Sequence, residues 1–236
     1  MLRGAVEILP LAFSAAAYGL AFGVFSAEAG FSAAEITLMS ITVFAGTSQI
    51  AAVDSFSASQ AIWGSVLAAA VLNLRYIGIM ATMPSILNKA PWVTRLLAIH
   101  LTADENWAQT LTARQSDAKV GVSYHVGAGG TLLVFWIVAT CLGNLLGAAL
   151  PAWSSAAVGF TFTAAFIGML TGMVRLPSGT SLLQACQIIV PIFVTFLATL
   201  WLTQVPAVSD FAILIASGMG LLVAFLPGLA SKGDDT

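Results

Sequence analysis

Seven apolar runs, each close to 20 residues or longer, set the terms for this chain. About 20 helical residues cross the roughly 30 Å of hydrocarbon in a bilayer. The runs cover residues 5–26, 35–53, 59–83, 123–150, 155–174, 182–203 and 210–226. Pro84, Pro151, Pro177, Pro206 and Pro227 fall at or near their ends, where helices stop. Only 8% of the residues are charged, against about 25% in soluble domains. The expected fold is therefore all-α: one polytopic transmembrane domain over residues 1–236 with about seven spans.

The interval between the third and fourth runs is the one long polar stretch. Within it, residues 92–111 place Val93, Leu96, Leu97, Leu101, Trp107 and Leu111 at helical spacing. Asp104, Glu105 and Asn106 make this a poor free span. It either lies amphipathically on the membrane surface or re-enters the bundle with its acids turned inward.

A weak repeat is visible. Gly19-Leu20-Ala21-Phe22-Gly23 closes the first run, and Gly143-Asn144-Leu145-Leu146-Gly147 closes the fourth. With three spans per unit, residues 5–84 and 123–203 would form an inverted repeat, and 210–226 an added helix. Glycines at this spacing also serve as plain helix contacts.

Charge then locates function. Arg75, in Asn73-Leu74-Arg75-Tyr76, sits inside the third run. A guanidinium keeps its proton, and at a helix centre it costs about 2.5–3.5 kcal/mol on insertion scales. It therefore needs a carboxylate such as Asp104 or Glu105, a substrate, or an aqueous edge. His100 and Asp104 are four residues apart, which puts them on one helix face and makes His100, Asp104 and Glu105 candidates for charge pairing or proton coupling.

Phe44-Ala45-Gly46-Thr47-Ser48-Gln49-Ile50 interrupts the second run. It reads as a small-residue contact or as a broken helix. In the second case Thr47 or Ser48 caps a half-helix whose positive end faces a carboxylate. Candidate substrate contacts are Phe44, Gly46, Thr47, Ser48, Gln49 and Asn73. Phe162 and Phe166 are candidates for an apolar lining.

Metal, cofactor and enzyme readings find no ligand set and no nucleophile, Walker or dinucleotide motif. Cys141 and Cys186 read as buried packing thiols. Lys89, Arg95, Arg114, Lys119, Arg175 and Lys232 share one side if seven helices cross, with Arg3 opposite. The positive-inside rule then sets the N-terminus outside and the C-terminus in the cytoplasm.

Three motifs, Gly19-Leu20-Ala21-Phe22-Gly23, Phe44-Ala45-Gly46-Thr47-Ser48-Gln49 and Asn73-Leu74-Arg75-Tyr76, together resemble the AzlC family. Leu101-Thr102-Ala103-Asp104-Glu105 resembles that family's Thr-Asp-Glu segment, with Ala103 inserted. The family supplies the large subunit of two-component branched-chain amino-acid exporters. The resemblance implies a bacterial inner-membrane protein that exports valine, leucine, isoleucine and methionine. It also implies a small hydrophobic partner subunit of the AzlD or YgaH type.

Overall fold

The computed structural model describes residues 1–149 and 182–202, together with 204–205, 215–216, 218–220 and 222–223. The chain forms two compact units, Met1–Val174 and Arg175–Thr236. Every regular element among the described residues is a helix. The first unit contains α1 (Leu2–Glu7), α2 (Leu9–Glu28), α3 (Ala33–Thr42), α4 (Gly46–Ser59) and α5 (Ile62–Asn73). It continues with α6 (Arg75–Ala81), α7 (Pro84–Leu87), α8 (Trp92–His100), α9 (Asp104–Ser116) and α10 (Val122–Ala149). In the second unit, α11 (Leu182–Leu202) coincides with the sixth apolar run and carries Pro191 inside it. The fifth run and most of the seventh lie outside the described residues. Among the described helices three segments are long and apolar enough to cross a membrane: Leu9–Glu28, Ile62–Ala81 and Val122–Ala149.

The axis of the first unit is the pair α2 and α10. Lipid gives apolar side chains no reason to leave it, so membrane helices associate where small residues let backbones approach. Gly143 lies against the Leu20 carbonyl, Gly147 against Val24, and Gly23 against the Thr140 carbonyl. At the other end Gly127 meets Met1 and Gly4 meets Tyr124. Residue numbers rise together along the contact, so α2 and α10 run parallel. The two glycine motifs are thus two sides of one seam. Inverted copies would run antiparallel, so the expected inversion of these two helices is not what the packing shows. Asn144 locks the far end of the seam, its Nδ2 donating to Ser26 Oγ and to the Phe31 carbonyl, both at 2.9 Å.

The second apolar run does not cross. Gly30, at φ +85°, turns the chain after α2, and a Ser32–Glu35 capping box starts α3. With 10 residues, α3 is about 15 Å long, half the hydrocarbon thickness. The chain leaves helical geometry at Val43 (φ −121°, ψ 78°) and Ala45 (φ −151°, ψ 89°), and α4 begins at Gly46. It then turns back. Gln49 Nε2 donates to Ser40 Oγ at 3.1 Å, and the rings of Phe31 and Phe56 are 5.7 Å apart. A straight helix over those residues would hold the two rings roughly 37 Å apart. The pair α3–α4 is a re-entrant hairpin that leaves by the face it entered. Gln60, in the left-handed conformation at φ 54°, ends α4, and α5–α6 then runs the other way as a span with a slight break at Leu74.

A second hairpin comes from the opposite face. Lys89 and Ala90, which precede α8, and Arg114, near the end of α9, line one depression together with residues 117–124. The tip between the two helices rises to Gly129, where the Leu101 carbonyl packs on the glycine. Of the two sequence readings for residues 92–111, the structure has the re-entrant one. Asn106 holds the tip: Oδ1 accepts from the Ala103 amide at 2.7 Å, and Nδ2 donates to the Leu101 carbonyl at 2.9 Å. The order half-helix, half-helix, span thus occurs twice, as α3–α4–α5 and α8–α9–α10.

The two faces differ in charge. Arg3, Lys89, Arg114 and Lys119 line the depression at one face. Glu28 and Glu35 flank the entry to the first hairpin at the other, with Asp54 near its return. Arg3 was expected opposite the other basic residues. It lies among them, bonded to Asp117 at 2.8 Å and to Glu7 at 2.8 Å. The N-terminus therefore shares the basic face, which overturns the expected separation. The parity count failed because the second run, counted as a crossing, re-enters. Tyr124 Oη donates to Glu7 at 2.6 Å and, with Arg3, holds this carboxyl below the usual range. The Lys119 amide and Arg3 do the same for Asp117. Trp63 and Trp92 are exposed at opposite faces, as interfacial tryptophans are. Cys141 is half-buried, and Cys186 is exposed where burial was expected.

Candidate functional site

The hairpin tips meet in the middle of the first unit and line a cavity of about 50 Å³. Phe44, Ala45, Gly46 and Thr47 come from the first tip, and Ala103, Asp104 and Glu105 from the second. Arg75 and Tyr76 enter from the start of α6, just past the break in the span. Tyr18 of α2 with Leu132 and Trp136 of α10 form the remaining wall.

At the first tip the chain supplies donors. Ala45 occupies the N-cap position, so no side chain caps α4. Neither Thr47 nor Ser48 takes the capping role expected from sequence. The Ser48 and Gln49 amides bond to the Ala45 carbonyl, while those of Gly46 and Thr47 have no backbone partner among the described residues. Thr47 Oγ1 is buried and has no partner among the described residues. Two open amides and a hydroxyl therefore sit at the positive end of a 14-residue helix.

The residues just behind hold this end in place. Gln49 is fully buried; its Oε1 accepts from Trp136 Nε1 at 3.0 Å while its Nε2 reaches Ser40. Ser48 Oγ donates to Asn73 Oδ1 at 2.6 Å, tying α4 to the end of α5. Of the predicted substrate contacts, Phe44, Gly46 and Thr47 line the cavity, whereas Ser48, Gln49 and Asn73 brace it. Phe162 and Phe166 lie outside the described residues.

At the second tip the chain supplies acids. Asp104 and Glu105 stand in the first turn of α9, where the helix dipole favours negative charge. Arg75 Nη2 lies 3.2 Å from Asp104 Oδ2, with the two side chains 35% and 33% exposed. The Arg75 guanidinium also sits 5.4 Å from the centre of the Tyr76 ring. Glu105 has no basic side chain within ion-pair distance among the described residues. His100 does not join this group. The helix breaks between His100 and Asp104, so the four-residue spacing does not put them on one face, and His100 is exposed at the end of α8.

Sequence reasoning missed His125. It is fully buried in α10, with Thr102 Oγ1 3.0 Å from Nε2 and Thr110 Oγ1 3.0 Å from Nδ1. The two threonines lie on either side of the second tip, so this ring pins the hairpin to α10. Trp136 was also missed, because it falls in mid-span and not at a membrane boundary. No feature of spacing announces either role, since their partners come from distant segments.

The site therefore combines donors and a helix dipole on one side, a cation with two carboxylates on the other, and aromatic walls. No cluster of metal ligands occurs among the described residues. A cavity of about 50 Å³ holds a few waters and is too small, as it stands, for an amino acid.

Residues 10–150, which include both hairpins, match the family described as AzlC protein. The chain is 25% identical over 177 residues to the inner membrane protein YgaZ of Escherichia coli (strain K12), covering 72% of this chain and 71% of that protein. No solved structure matches.

Proposed function

This chain belongs to the AzlC family, and on that premise we propose that it is the large subunit of a secondary exporter of branched-chain amino acids. Valine, leucine and isoleucine, and with them methionine, are the proposed substrates. A small hydrophobic membrane subunit of the AzlD or YgaH type is the proposed partner. The observation that carries the reading is the meeting of two half-helix ends, from opposite faces, at a small cavity with charged groups and apolar walls. Broken helices at mid-depth are a recurrent way for transporters to hold a small charged substrate. The zwitterion's carboxylate suits the Gly46 and Thr47 amides, and its aliphatic side chain suits Phe44, Tyr18 and Trp136. The sequence carries no nucleotide-binding loop, so an ion gradient, of protons in this proposal, drives export.

Orientation follows from charge in the same reading. The face carrying Arg3, Lys89, Arg114 and Lys119 is assigned to the cytoplasm by the positive-inside rule. The N-terminus is then cytoplasmic.

Counterflow of labelled valine in proteoliposomes, with and without the small subunit, tests the proposal. Accumulation that saturates and responds to an imposed proton gradient is expected. Linear flux in either direction without saturation would point to a passive channel. No flux with the partner present would leave only a supporting membrane subunit.

A further inference from the structure

We infer that the Arg75–Asp104 ion pair occupies the place of the substrate's own two charges, and that an α-amino-acid zwitterion enters by exchanging with it. The inference rests on the exporter reading above and names the groups that select its substrate. The two side chains lie on different elements: Arg75 opens α6, which is part of a span, and Asp104 opens α9 at a hairpin tip. Both line the cavity, and at about one-third exposed neither is sealed from it. At the same cavity the Thr47 hydroxyl is buried with no partner among the described residues, beside two amides that lack one there too.

A charge held at membrane depth needs a partner, and taking one partner from a partly shielded pair leaves the other uncompensated, whereas replacing both does not. A zwitterion replaces both. Its carboxylate takes the planar fork of Arg75 and the hydroxyl and amides at Thr47. Its ammonium takes Asp104, with Glu105 alongside. The net charge of the site is the same before and after, so neither Arg75 nor Asp104 is left bare. A carboxylate without an amine would strand Asp104, and an amine without a carboxylate would strand Arg75. The site therefore rejects both halves of its substrate through unpaired charge.

The exchange also moves the protein. Arg75 and Asp104 are 3.2 Å apart, and the cavity as it stands has no room for an amino acid between them. Inserting one must push the α9 tip away from α6. That tip belongs to the hairpin rooted in the basic face, so occupancy is tied to opening on that side.

The test uses the full chain in nanodiscs and proteoliposomes. Valine, isovalerate (no amine) and isobutylamine (no carboxylate) compete for labelled-valine binding, and the Arg75→Asp/Asp104→Arg protein is compared with wild type. Valine is expected to compete, and each half-analogue to be weaker by roughly a hundredfold. The charge-swapped protein is expected to lose some thermal stability, because position 104 in the first turn of α9 favours negative charge, and to lose valine binding, because cation and acid have exchanged places in the cavity. Equal competition by either half-analogue, or a charge-swapped protein that binds and transports valine normally, overturns the inference. If the swapped protein does not fold, the competition on wild type decides. A wild-type protein that neither binds nor transports any amino acid defeats the exporter reading itself, whereas valine transport that survives the swap defeats this inference alone.

Discussion

Trp136 Nε1 donates to Gln49 Oε1 at 3.0 Å, while the far edge of the same indole packs on Gly46. One side chain thus fixes both the start of α4 and the turn that precedes it. Gln49→Leu leaves the buried indole N–H and the Ser40 hydroxyl without this partner. We predict a loss of about 1–3 kcal/mol in stability, read as a lowered melting temperature in detergent, with transport reduced further than stability. Gly46→Ala places a methyl 2.8 Å from the ring. Because Gln49 holds that ring, we expect about 1–3 kcal/mol of overpacking. A Gly46→Ala protein with unchanged melting and flux would show that the ring is not fixed.

The α2–α10 seam gives a sharper steric test. A methyl on Gly143 would overlap the Leu20 carbonyl, and one on Gly23 the Thr140 carbonyl. Backbone cannot step aside as a side chain can. We predict that Gly143→Ala and Gly23→Ala each lower the yield of folded protein, while Gly78→Ala, which meets nothing within 4 Å, does not. Monodisperse yield on size exclusion is the readout.

How much of this was legible beforehand depends on the residue. The break near Gly46 was readable, since Gly, Thr, Ser and Gln in succession interrupt an apolar run and Gly46 permits close packing. The reversal after the break was not. Apolar periodicity reports that residues are helical and says nothing of which way the next half-helix points, and 35–53 is long enough to cross. That omission moved Arg3 to the wrong face, because parity was counted on a span that re-enters. The pairing of Arg75 with Asp104 was readable from the scarcity of acids in apolar segments. His100 was grouped with Asp104 by assuming a continuous helix. His125 stayed invisible because Thr102 and Thr110 reach it through the fold alone.

The anchoring of the N-terminus depends on pH. Glu7 and Asp117 have carboxyls held below their ordinary range, by Tyr124 and Arg3 and by the Lys119 amide and Arg3 respectively. A lowered folded pKa contributes stability above the unfolded pKa that is lost as pH falls through the folded value. We predict that the melting difference between wild type and Asp117→Asn is present at neutral pH and vanishes on acidification below the usual carboxylate range. Both groups are exposed, so high salt should shrink the difference too. A difference that grows on acidification would contradict the assignment.

Glu105 lines the cavity beside Asp104 and Arg75 but makes no ion pair among the described residues. An intramembrane carboxylate in that position takes up a proton or a cationic ligand. We predict that Glu105→Gln preserves folding, abolishes the dependence of valine flux on an imposed pH gradient, and leaves counterflow at equal pH largely intact. Wild-type pH dependence in that protein would remove Glu105 from the coupling step.

Two hairpins enter from opposite faces and meet at one cavity. Single cysteines at Phe31, Ser59, Arg3, Lys89 and Lys119, in a background lacking Cys141 and Cys186, report this through a membrane-impermeant thiol reagent in intact cells. Positions 31 and 59, at the two ends of the first hairpin, should both label from outside. Positions 3, 89 and 119 should label only after permeabilisation. Labelling of 31 and 59 from opposite sides would make residues 33–59 an ordinary crossing and would contradict the account.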